Sequence, residues 1–253
     1  MSNAENILGY KVSSDDLDVI VDEIFKKNVT QRNAGVMACL NPHSYVVAKS
    51  DKLFSDALHD ADILLPDGVG IIYASKILQR KISQRIAGND LFTAVMKRAD
   101  SLGGKSVFFL GSTKDVLLKI EKRVFEDYPN LKKIGSFSPP FSQAFAPEEN
   151  QEMIDKINLF KPDILWVGMT APKQEKWIFE NKNKLDAGFI GAIGAVFDFY
   201  AGTKYRAPEW VCSLGLEWLP RLLMEPRRLW RRNLHSSPAF LWDVMVDRFV
   251  GRR

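Results

Sequence analysis

Residues 163–169 of the sequence read DILWVGM, and residues 171–185 read APKQEKWIFENKNKL. The first segment is a short, almost entirely apolar run, which is typical of a buried strand, and the second is helix-like. The same order of strand and helix recurs at residues 106–128 and 132–160. Strand, helix and strand at this spacing indicate βαβ units, so we predict an α/β fold with a mostly parallel sheet. The other predicted strands are AGVMACL (34–40), DILL (62–65) and AGFIGAIG (187–194).

The composition is that of an ordinary globular protein. A chain of 253 residues, 46% of them hydrophobic, can bury a full core and need not form more than one domain. The longest nearly unbroken apolar run, GFIGAIGAVF at 188–197, has about half the length that a membrane span needs. The first ten residues lack a basic and an apolar segment, and the two cysteines, Cys39 and Cys212, indicate neither a disulfide framework nor a zinc site. We therefore expect a cytoplasmic protein in a reducing compartment.

Positive charge is concentrated near the C-terminal end. Residues 204–253 carry ten Lys/Arg and five Asp/Glu, a net charge of +5, and because the whole chain is +4, residues 1–203 sum to −1. This asymmetry predicts an anionic partner for the basic part. We place the one candidate boundary near Gly202, which divides the chain into a catalytic core at 1–202 and a helical appendage at 203–253.

Two segments of the appendage have amphipathic patterns. On a helical wheel, Arg227, Arg228, Arg231 and Arg232 share one face of residues 216–234, and leucine and tryptophan lie opposite them. The segment AFLWDVMVDRFV follows at 239–250 and is apolar around most of its circumference. Such helices bind a membrane interface, with the arginines at the headgroups. Alternatively, they pack on the core or on another subunit, and the residues alone leave both interpretations open.

Small and polar residues follow the predicted strands. The carboxyl ends of parallel strands meet at one edge of a sheet, where open α/β sheets bind ligands. Backbone N–H groups at helix starts suit phosphate, so these loops predict a pocket for a nucleotide or a nucleotide sugar. The loops are NPHS (41–44), PDGVG (66–70), GST (111–113), MTAPKQ (169–174) and GAIGAVFDF (191–199).

Two common nucleotide-binding motifs are absent from the sequence. GVGIIY at 68–73 lacks the third glycine of a dinucleotide fingerprint, and GAIG at 191–194 has the wrong spacing. No P-loop is present. These absences argue against a dehydrogenase and against an NTPase.

Several carboxylates have both a structural and a functional interpretation. Asp67 lies in Pro-Asp-Gly, which is strong turn chemistry, but it also follows a strand and could act as a general base. Asp60 and Asp62 form DAD, which resembles a metal-binding DxD motif. We favour a structural role for this pair, because polar residues are common at the start of a strand.

The histidines and the MTAPKQ loop also allow two interpretations. His43 and His59 have no second ligand at metal-binding spacing, so they are interpreted as structural residues. Lys173 and Gln174 open a predicted helix. They belong either to a solvated first turn or to a pocket in which an amide and a cation lie near a diphosphate.

Seven segments together resemble one enzyme family. Each segment alone is weakly specific, but the ordered set, between about residues 35 and 235, is similar to the WecG/TagA/CpsF glycosyltransferases, glycosyltransferase family 26. The segments are LNPHS, LLPDGVGI, RIAGNDLF, FFLGS, PDILWVGMTAPKQEKWI, GAIGAVFDFYAGTKYRAPEW and LGLEWLPRLLMEPRRLWRR.

The resemblance implies a Rossmann-like core and an appendage that touches the membrane. Members transfer a sugar from a UDP-sugar to a lipid-linked diphosphate sugar, in wall teichoic acid, enterobacterial common antigen or exopolysaccharide assembly. The implied reaction is inverting and metal-independent, with an aspartate as base and arginines that offset the charge of the leaving UDP. The implied catalytic residues are Asp67 and Arg228, and the implied substrate-binding residues are Cys39, Asn41, Arg85, Gly111, Gln174, Gly194, Arg221 and Arg231.

The resemblance also defines the expected partners. They are a UDP-sugar, a polyprenyl-diphosphate-linked saccharide, and an anionic membrane surface bound through residues 216–250 on the inner face of the cell membrane. No cofactor and no nucleic acid are expected, and a homo-oligomer is left open.

One residue departs from the family pattern, and one rival function remains. Teichoic acid members have a threonine where this chain has Cys39, and a thiol is a poorer hydrogen-bond donor than a hydroxyl. This difference puts a role of position 39 in sugar recognition, and an N-acetylmannosamine donor, in doubt.

The rival function is that of a non-catalytic module that binds anionic lipid or nucleic acid through its tail. Such a module would need no carboxylate in a pocket.

Overall fold

The structure, a computed structural model, describes residues 3–32, 34–142, 144–204 and 235–251. The chain begins with an antiparallel hairpin of β1 (Ala4–Ile7) and β2 (Tyr10–Ser13), in which Ile7 pairs with Tyr10. Neither strand of this hairpin was predicted from the sequence. Ile7 and Val12 are fully buried, so the hairpin extends the core.

Six strands form the central sheet, and each of them was predicted from the sequence. Their order across the sheet is β4-β3-β8-β7-β5-β6, and every neighbouring pair is parallel. The predicted α/β fold with a parallel sheet is therefore confirmed. The strands are β3 (Gly35–Leu40), β4 (Ile63–Pro66), β5 (Ser106–Gly111), β6 (Lys133–Phe137), β7 (Ile164–Gly168) and β8 (Phe189–Ala192).

Helices cover both faces of the sheet. Successive side chains of a strand point to opposite faces, so Phe109 and Trp166 join one buried cluster while Phe108 and Val167 join another. Burial on both faces explains why these strands have continuous apolar sequences. In the described residues the helices are α1 (Leu17–Glu23), α2 (Pro42–Ala48), α3 (Lys52–His59), α4 (Val69–Ile77), α5 (Gly88–Leu102), α6 (Lys114–Asp127), α7 (Pro147–Phe160), α8 (Lys173–Asn181), α9 (Val196–Tyr200) and α10 (Ser237–Val250).

Two short helical turns extend this set. A π-helical turn, Ile24–Val29, continues α1, and a 3₁₀ turn, Lys182–Lys184, continues α8. No helix of the described residues is long and apolar enough to cross a membrane.

Helix α10, which belongs to the predicted appendage, packs on the core. Phe240 and Val244 are fully buried in a cluster with side chains of β3, α2 and α4. The Phe240 ring meets the Tyr45 ring edge-on, with centroids 5.3 Å apart. Asp243 accepts hydrogen bonds from Lys49 and Tyr45, at 2.6 and 3.1 Å. The described part of the appendage therefore shares a core with residues before 203.

Candidate active site

The site lies at the carboxyl ends of β3 and β4. These strands are neighbours, and Leu40 pairs with Pro66 at their ends, so the next residues, Asn41 and Asp67, lie side by side. Asn41 Nδ2 donates a hydrogen bond to Asp67 Oδ2 at 3.1 Å. The structure thus brings together two residues that the sequence placed in separate motifs.

The amide orientation of Asn41 is fixed by its role as the N-cap of α2. Its Oδ1 accepts from the backbone N–H groups of His43 and Ser44, at 3.1 and 3.0 Å. Ser44 Oγ in turn accepts from the Asn41 backbone N–H at 2.8 Å, which completes a capping box. Because the amide oxygen is committed to the helix, the NH₂ group must face Asp67. The cap therefore orients one oxygen of the candidate base.

Two glycines after Asp67 set the path of the chain. Gly68 has φ of +89°, and α4 begins at the next residue. At Gly70, a Cβ atom would lie 2.4 Å from Pro42 Cγ, so only glycine allows the first turns of α2 and α4 to approach this closely. The PDGVG segment is therefore a turn, and the same turn holds Asp67 against Asn41.

The segment before α5 runs beside the end of β4. Ile86 N–H donates to the Pro66 carbonyl at 3.1 Å, so Arg85 lies next to the end of β4, which Asp67 follows. Arg85 Nη2 is 3.7 Å from Asp90 Oδ2, and the same oxygen accepts from the Ala87 backbone N–H at 3.0 Å. The Arg85 side chain is mostly buried, and its guanidinium group faces Asp90 in the first turn of α5.

Gln174 connects the loops that follow β7 and β8. Its Oε1 accepts from the backbone N–H groups of Met169 and Gly194, at 3.1 and 3.0 Å. Gly194 has φ of +51°, a conformation that favours glycine. Gln174 is 4% exposed, so it is not in a solvated first turn. A direct contact between Gln174 and a ligand stays a prediction.

Gly111 lies further along the same edge, at the end of β5. It has φ of +119°, and a Cβ atom there would be 2.4 Å from the Gly168 carbonyl oxygen. This close approach of two backbones accounts for the glycine. A contact between Gly111 and substrate also stays a prediction.

Cys39 precedes Asn41 by two residues on β3. The pKa of its thiol is raised well above the usual value, first by burial and then by the charges of Asp67 and Glu175. The thiol is therefore protonated at neutral pH and is no nucleophile.

Glu175 was not identified from the sequence. It is 6% exposed, and burial raises its pKa from 4.5 to about 7. An acidic residue in the first turn of a helix is usually a solvated partner of the helix dipole, so no sequence pattern distinguishes this one. Its burial becomes visible only when α8 is packed against the sheet.

The DAD residues lie at the opposite edge of the sheet, before β4 begins. Asp62 Oδ2 accepts from the Val36 backbone N–H at 2.8 Å, and Asp60 pairs with Lys182 at 2.6 Å. His59 contacts the Ser55 carbonyl and the Tyr10 ring, and His43 Nδ1 is 3.0 Å from Ser236 Oγ. Within residues 3–32, 34–142, 144–204 and 235–251, no group of three or more His, Cys, Asp or Glu side chains could hold a metal ion.

The three predicted arginines Arg221, Arg228 and Arg231 lie outside the described residues. The described chain on either side of them is at the carboxyl edge. Lys204 pairs with Asp198 of α9, which follows β8, and Ser236 meets His43 in the first turn of α2.

The fold and the site define a class of enzyme. A carboxylate and an amide meet where open α/β sheets bind phosphate-bearing ligands, and Arg85 is in the segment beside them. The sequence matches the family model described as glycosyl transferase WecG/TagA/CpsF over residues 5–253. The chain belongs to this family, and it is a glycosyltransferase.

Three similar proteins carry the same name, N-acetylglucosaminyldiphosphoundecaprenol N-acetyl-beta-D-mannosaminyltransferase. The protein of Bacillus spizizenii strain W23 is 31% identical over 230 residues, which cover 91% of this chain and 86% of that protein. Those of Bacillus subtilis strain 168 and Staphylococcus aureus strain MW2 are 29% and 30% identical, and each alignment covers 91% of the relative. The two alignments cover 96% and 94% of this chain.

Proposed function

We propose that this protein transfers N-acetylmannosamine from its UDP derivative to a polyprenyl-diphosphate-linked N-acetylglucosamine, with inversion at the transferred carbon. The names of the similar proteins support this acceptor and this sugar. A lipid-linked acceptor belongs to the assembly of a cell-surface polysaccharide such as a teichoic acid. The resemblance supplies the UDP part of the donor.

The observation that carries the proposal is the Asp67–Asn41 pair at the carboxyl edge. In the proposed reaction, Asp67 accepts the proton of an acceptor hydroxyl, whose oxygen attacks the anomeric carbon of the donor. The bond from that carbon to the UDP oxygen breaks as the new glycosidic bond forms. Asn41 donates to one carboxylate oxygen by its NH₂ group and so fixes the orientation of the carboxylate that accepts the proton.

Positive groups offset the charge that develops on the leaving UDP. Arg85 lies beside the Asp67 strand end, and we assign the same role to Arg228, with Arg221 and Arg231 binding the diphosphates. The described residues before and after this segment both lie at the carboxyl edge, which favours arginines that reach the site. We propose no metal and no cofactor, since guanidinium groups supply the charge.

We also propose that residues 216–250 bind an anionic membrane surface on the cytoplasmic side. Helix α10 packs with one face on the core and exposes apolar side chains on the other. The exposed residues follow helical spacing, so they form one stripe. They are Trp242, Met245, Val246, Phe249 and Val250.

A panel of donors tests the proposed substrate. The purified protein is assayed with UDP-N-acetylmannosamine, UDP-N-acetylmannosaminuronate and UDP-glucose, on a short-chain polyprenyl-diphosphate N-acetylglucosamine. We expect transfer from UDP-N-acetylmannosamine. Transfer from one of the other two donors alone would refute the proposed sugar, and it would connect the difference at Cys39 with donor choice.

Substitution of Asp67 tests the proposed base. We expect Asp67→Asn to lower kcat by roughly 10² to 10⁴, the usual contribution of a positioned proton acceptor. The affinity for UDP should change little, because the acceptor hydroxyl is the partner of Asp67. The matched control is Asp60→Asn, an aspartate at the other edge of the sheet, which should keep its turnover. A normal kcat in Asp67→Asn would show that another group takes the proton.

A further inference from the structure

Two adjacent polar side chains are buried together at the start of α8. Gln174 and Glu175 are 4% and 6% exposed. Gln174 Nε2 donates a hydrogen bond to Glu175 Oε1 at 2.8 Å. The other end of the same amide accepts from Met169 and Gly194, so a chain of hydrogen bonds runs from Glu175 to both loops.

Glu175 and two backbone N–H groups together hold the Gln174 amide in one orientation. An amide of this shape fits its cavity equally well with nitrogen and oxygen exchanged, so only its partners decide its orientation. Two backbone N–H groups on the loop side require an oxygen there. A carboxyl oxygen that accepts a bond on the other side requires the NH₂ group. Removal of Glu175 leaves the buried NH₂ group without this acceptor, so the amide is no longer held at both ends.

We infer that Glu175 is a positioning residue for sugar transfer, which fixes the Gln174 amide and through it the loops that follow β7 and β8. The inference rests on the proposed function, because these loops line the edge of the sheet where Asn41 and Asp67 lie. Strand β8 lies between β7 and β3 in the sheet. The loop after β8 is therefore beside the end of β3, and a shift of this loop would change the surroundings of Asn41.

The fold itself gains little from an acid at this position. Glu175 Oε2 is buried and has no hydrogen-bond partner among the residues that the structure describes. A buried polar atom without a partner costs free energy, on the order of 1–3 kcal/mol, and an apolar side chain would avoid that cost. Unsatisfied polar groups of this kind are expected at functional sites.

The positioning role needs an acceptor but no charge. Burial raises the pKa of Glu175 to about 7, so the neutral acid is well populated near neutral pH. The carbonyl oxygen of a neutral acid still accepts the bond from Gln174, and the oxygen of a glutamine side chain would do the same. This similarity provides a conservative variant.

Three variants separate positioning from stability. Glu175→Met keeps the length of the side chain and removes the acceptor, and Glu175→Gln keeps the acceptor. Asn181→Leu is the matched control, because Asn181 is also buried on α8 but bonds only to Asn150 and Trp177 in the described structure. We expect Glu175→Met to lower kcat by about 10²-fold with little change in KM, since misplacement by an ångström has effects of this size. Glu175→Gln should restore kcat to within about threefold. Asn181→Leu should be less stable but keep its kcat.

A double-mutant cycle with Gln174→Ala tests whether Glu175 acts through Gln174. If it does, adding Glu175→Met to Gln174→Ala lowers kcat no further, because the two residues act as one unit. Multiplicative losses, or a Glu175→Met variant with the kcat of the wild type, would overturn the inference. These assays use whichever donor sugar the wild-type protein accepts. If the wild type rejects UDP-N-acetylmannosamine, that result refutes the proposed sugar, and the inference about Glu175 is tested with the accepted donor.

Amide hydrogen exchange provides a readout that is independent of transfer. We expect the Met169 and Gly194 amides to exchange faster in Glu175→Met and at the wild-type rate in Glu175→Gln, measured by NMR. Unchanged exchange at both amides in Glu175→Met would overturn the inference, even if the activity fell.

Discussion

Asn41 makes two sets of contacts with different consequences. Its Oδ1 caps α2, and its Nδ2 bonds to Asp67. Serine is also a good N-cap, but its side chain is too short to bridge to Asp67 while it caps. Substitution at this position can therefore separate the stability of the helix from the orientation of the base.

We predict that Asn41→Ser lowers kcat by about tenfold or more, because Asp67 loses its orienting bond. The free energy of unfolding should stay within about 0.5 kcal/mol of the wild type. Asn41→Ala should show the same kinetic defect and lose roughly 1 kcal/mol more, because the cap is also gone. Turnover assays and urea titrations measure the two effects. A fully active Asn41→Ser would mean that Asp67 is oriented by other groups.

Glu175 links the stability of the fold to pH. Its pKa is raised from 4.5 to about 7 by burial, so between these values the folded state holds a proton that the unfolded state releases. Stability from this group is therefore complete below about pH 4.5 and is lost as pH rises through 7. A shift of this size corresponds to about 3 kcal/mol, since one pKa unit is worth roughly 1.4 kcal/mol.

We predict that Glu175→Gln gains stability relative to the wild type as pH rises from 5 to 8, by up to about 3 kcal/mol. The comparison cancels the other titrating groups, because both proteins share them. Urea unfolding at each pH gives the two curves. Curves that stay parallel over this range would show that Glu175 is ionised throughout.

Among the elements, five of the six sheet strands could be predicted because they are buried and have nearly continuous apolar sequences. The sixth, β6, is a partly exposed edge strand that was predicted from its place before a helical pattern. The hairpin β1–β2 was missed, because its short strands mix polar with apolar residues and its burial depends on packing against distant parts of the chain. Asn41 and Asp67 were placed in loops after strands by the sequence pattern, but their functional roles were implied only by the family resemblance. Glu175 was not identified, because a first-turn acid is normally solvated, and only the packing of α8 buries it.

Gly70 in the first turn of α4 lies against Pro42 in the first turn of α2, beside the paired ends of β4 and β3. We predict that Gly70→Ala destabilises the protein by about 1–3 kcal/mol, as overpacking does, because the new Cβ meets the Pro42 ring. Pro42→Ala removes the ring atoms and should relieve most of this loss in the double variant. Urea titrations of the two single variants and the double variant give the coupling. Additive losses would show that the ring does not limit residue 70.

At the scale of the whole molecule, the exposed apolar stripe lies on α10, a helix that begins near the site. Ser236 meets His43 at the start of α2, and Asp243 meets Lys49 after its end, so α10 runs in the same direction as α2. The acceptor's lipid is in the membrane and its diphosphate at the surface. A protein that binds the surface through α10 would therefore be held at the membrane that contains the acceptor's lipid.

We predict that the double variant Trp242→Ser, Phe249→Ser lowers binding to phosphatidylglycerol vesicles by about tenfold or more, because each ring contributes roughly 1.5–3 kcal/mol when buried in the interface. Co-sedimentation of the protein with these vesicles at low salt measures the binding. The matched control is Leu118→Ser, Phe125→Ser, since both residues are similarly exposed on α6. This control should bind like the wild type. Transfer to a water-soluble acceptor analogue should be unaffected in both. An equal loss in the control, or no vesicle binding by the wild type, would assign the stripe to a protein contact instead.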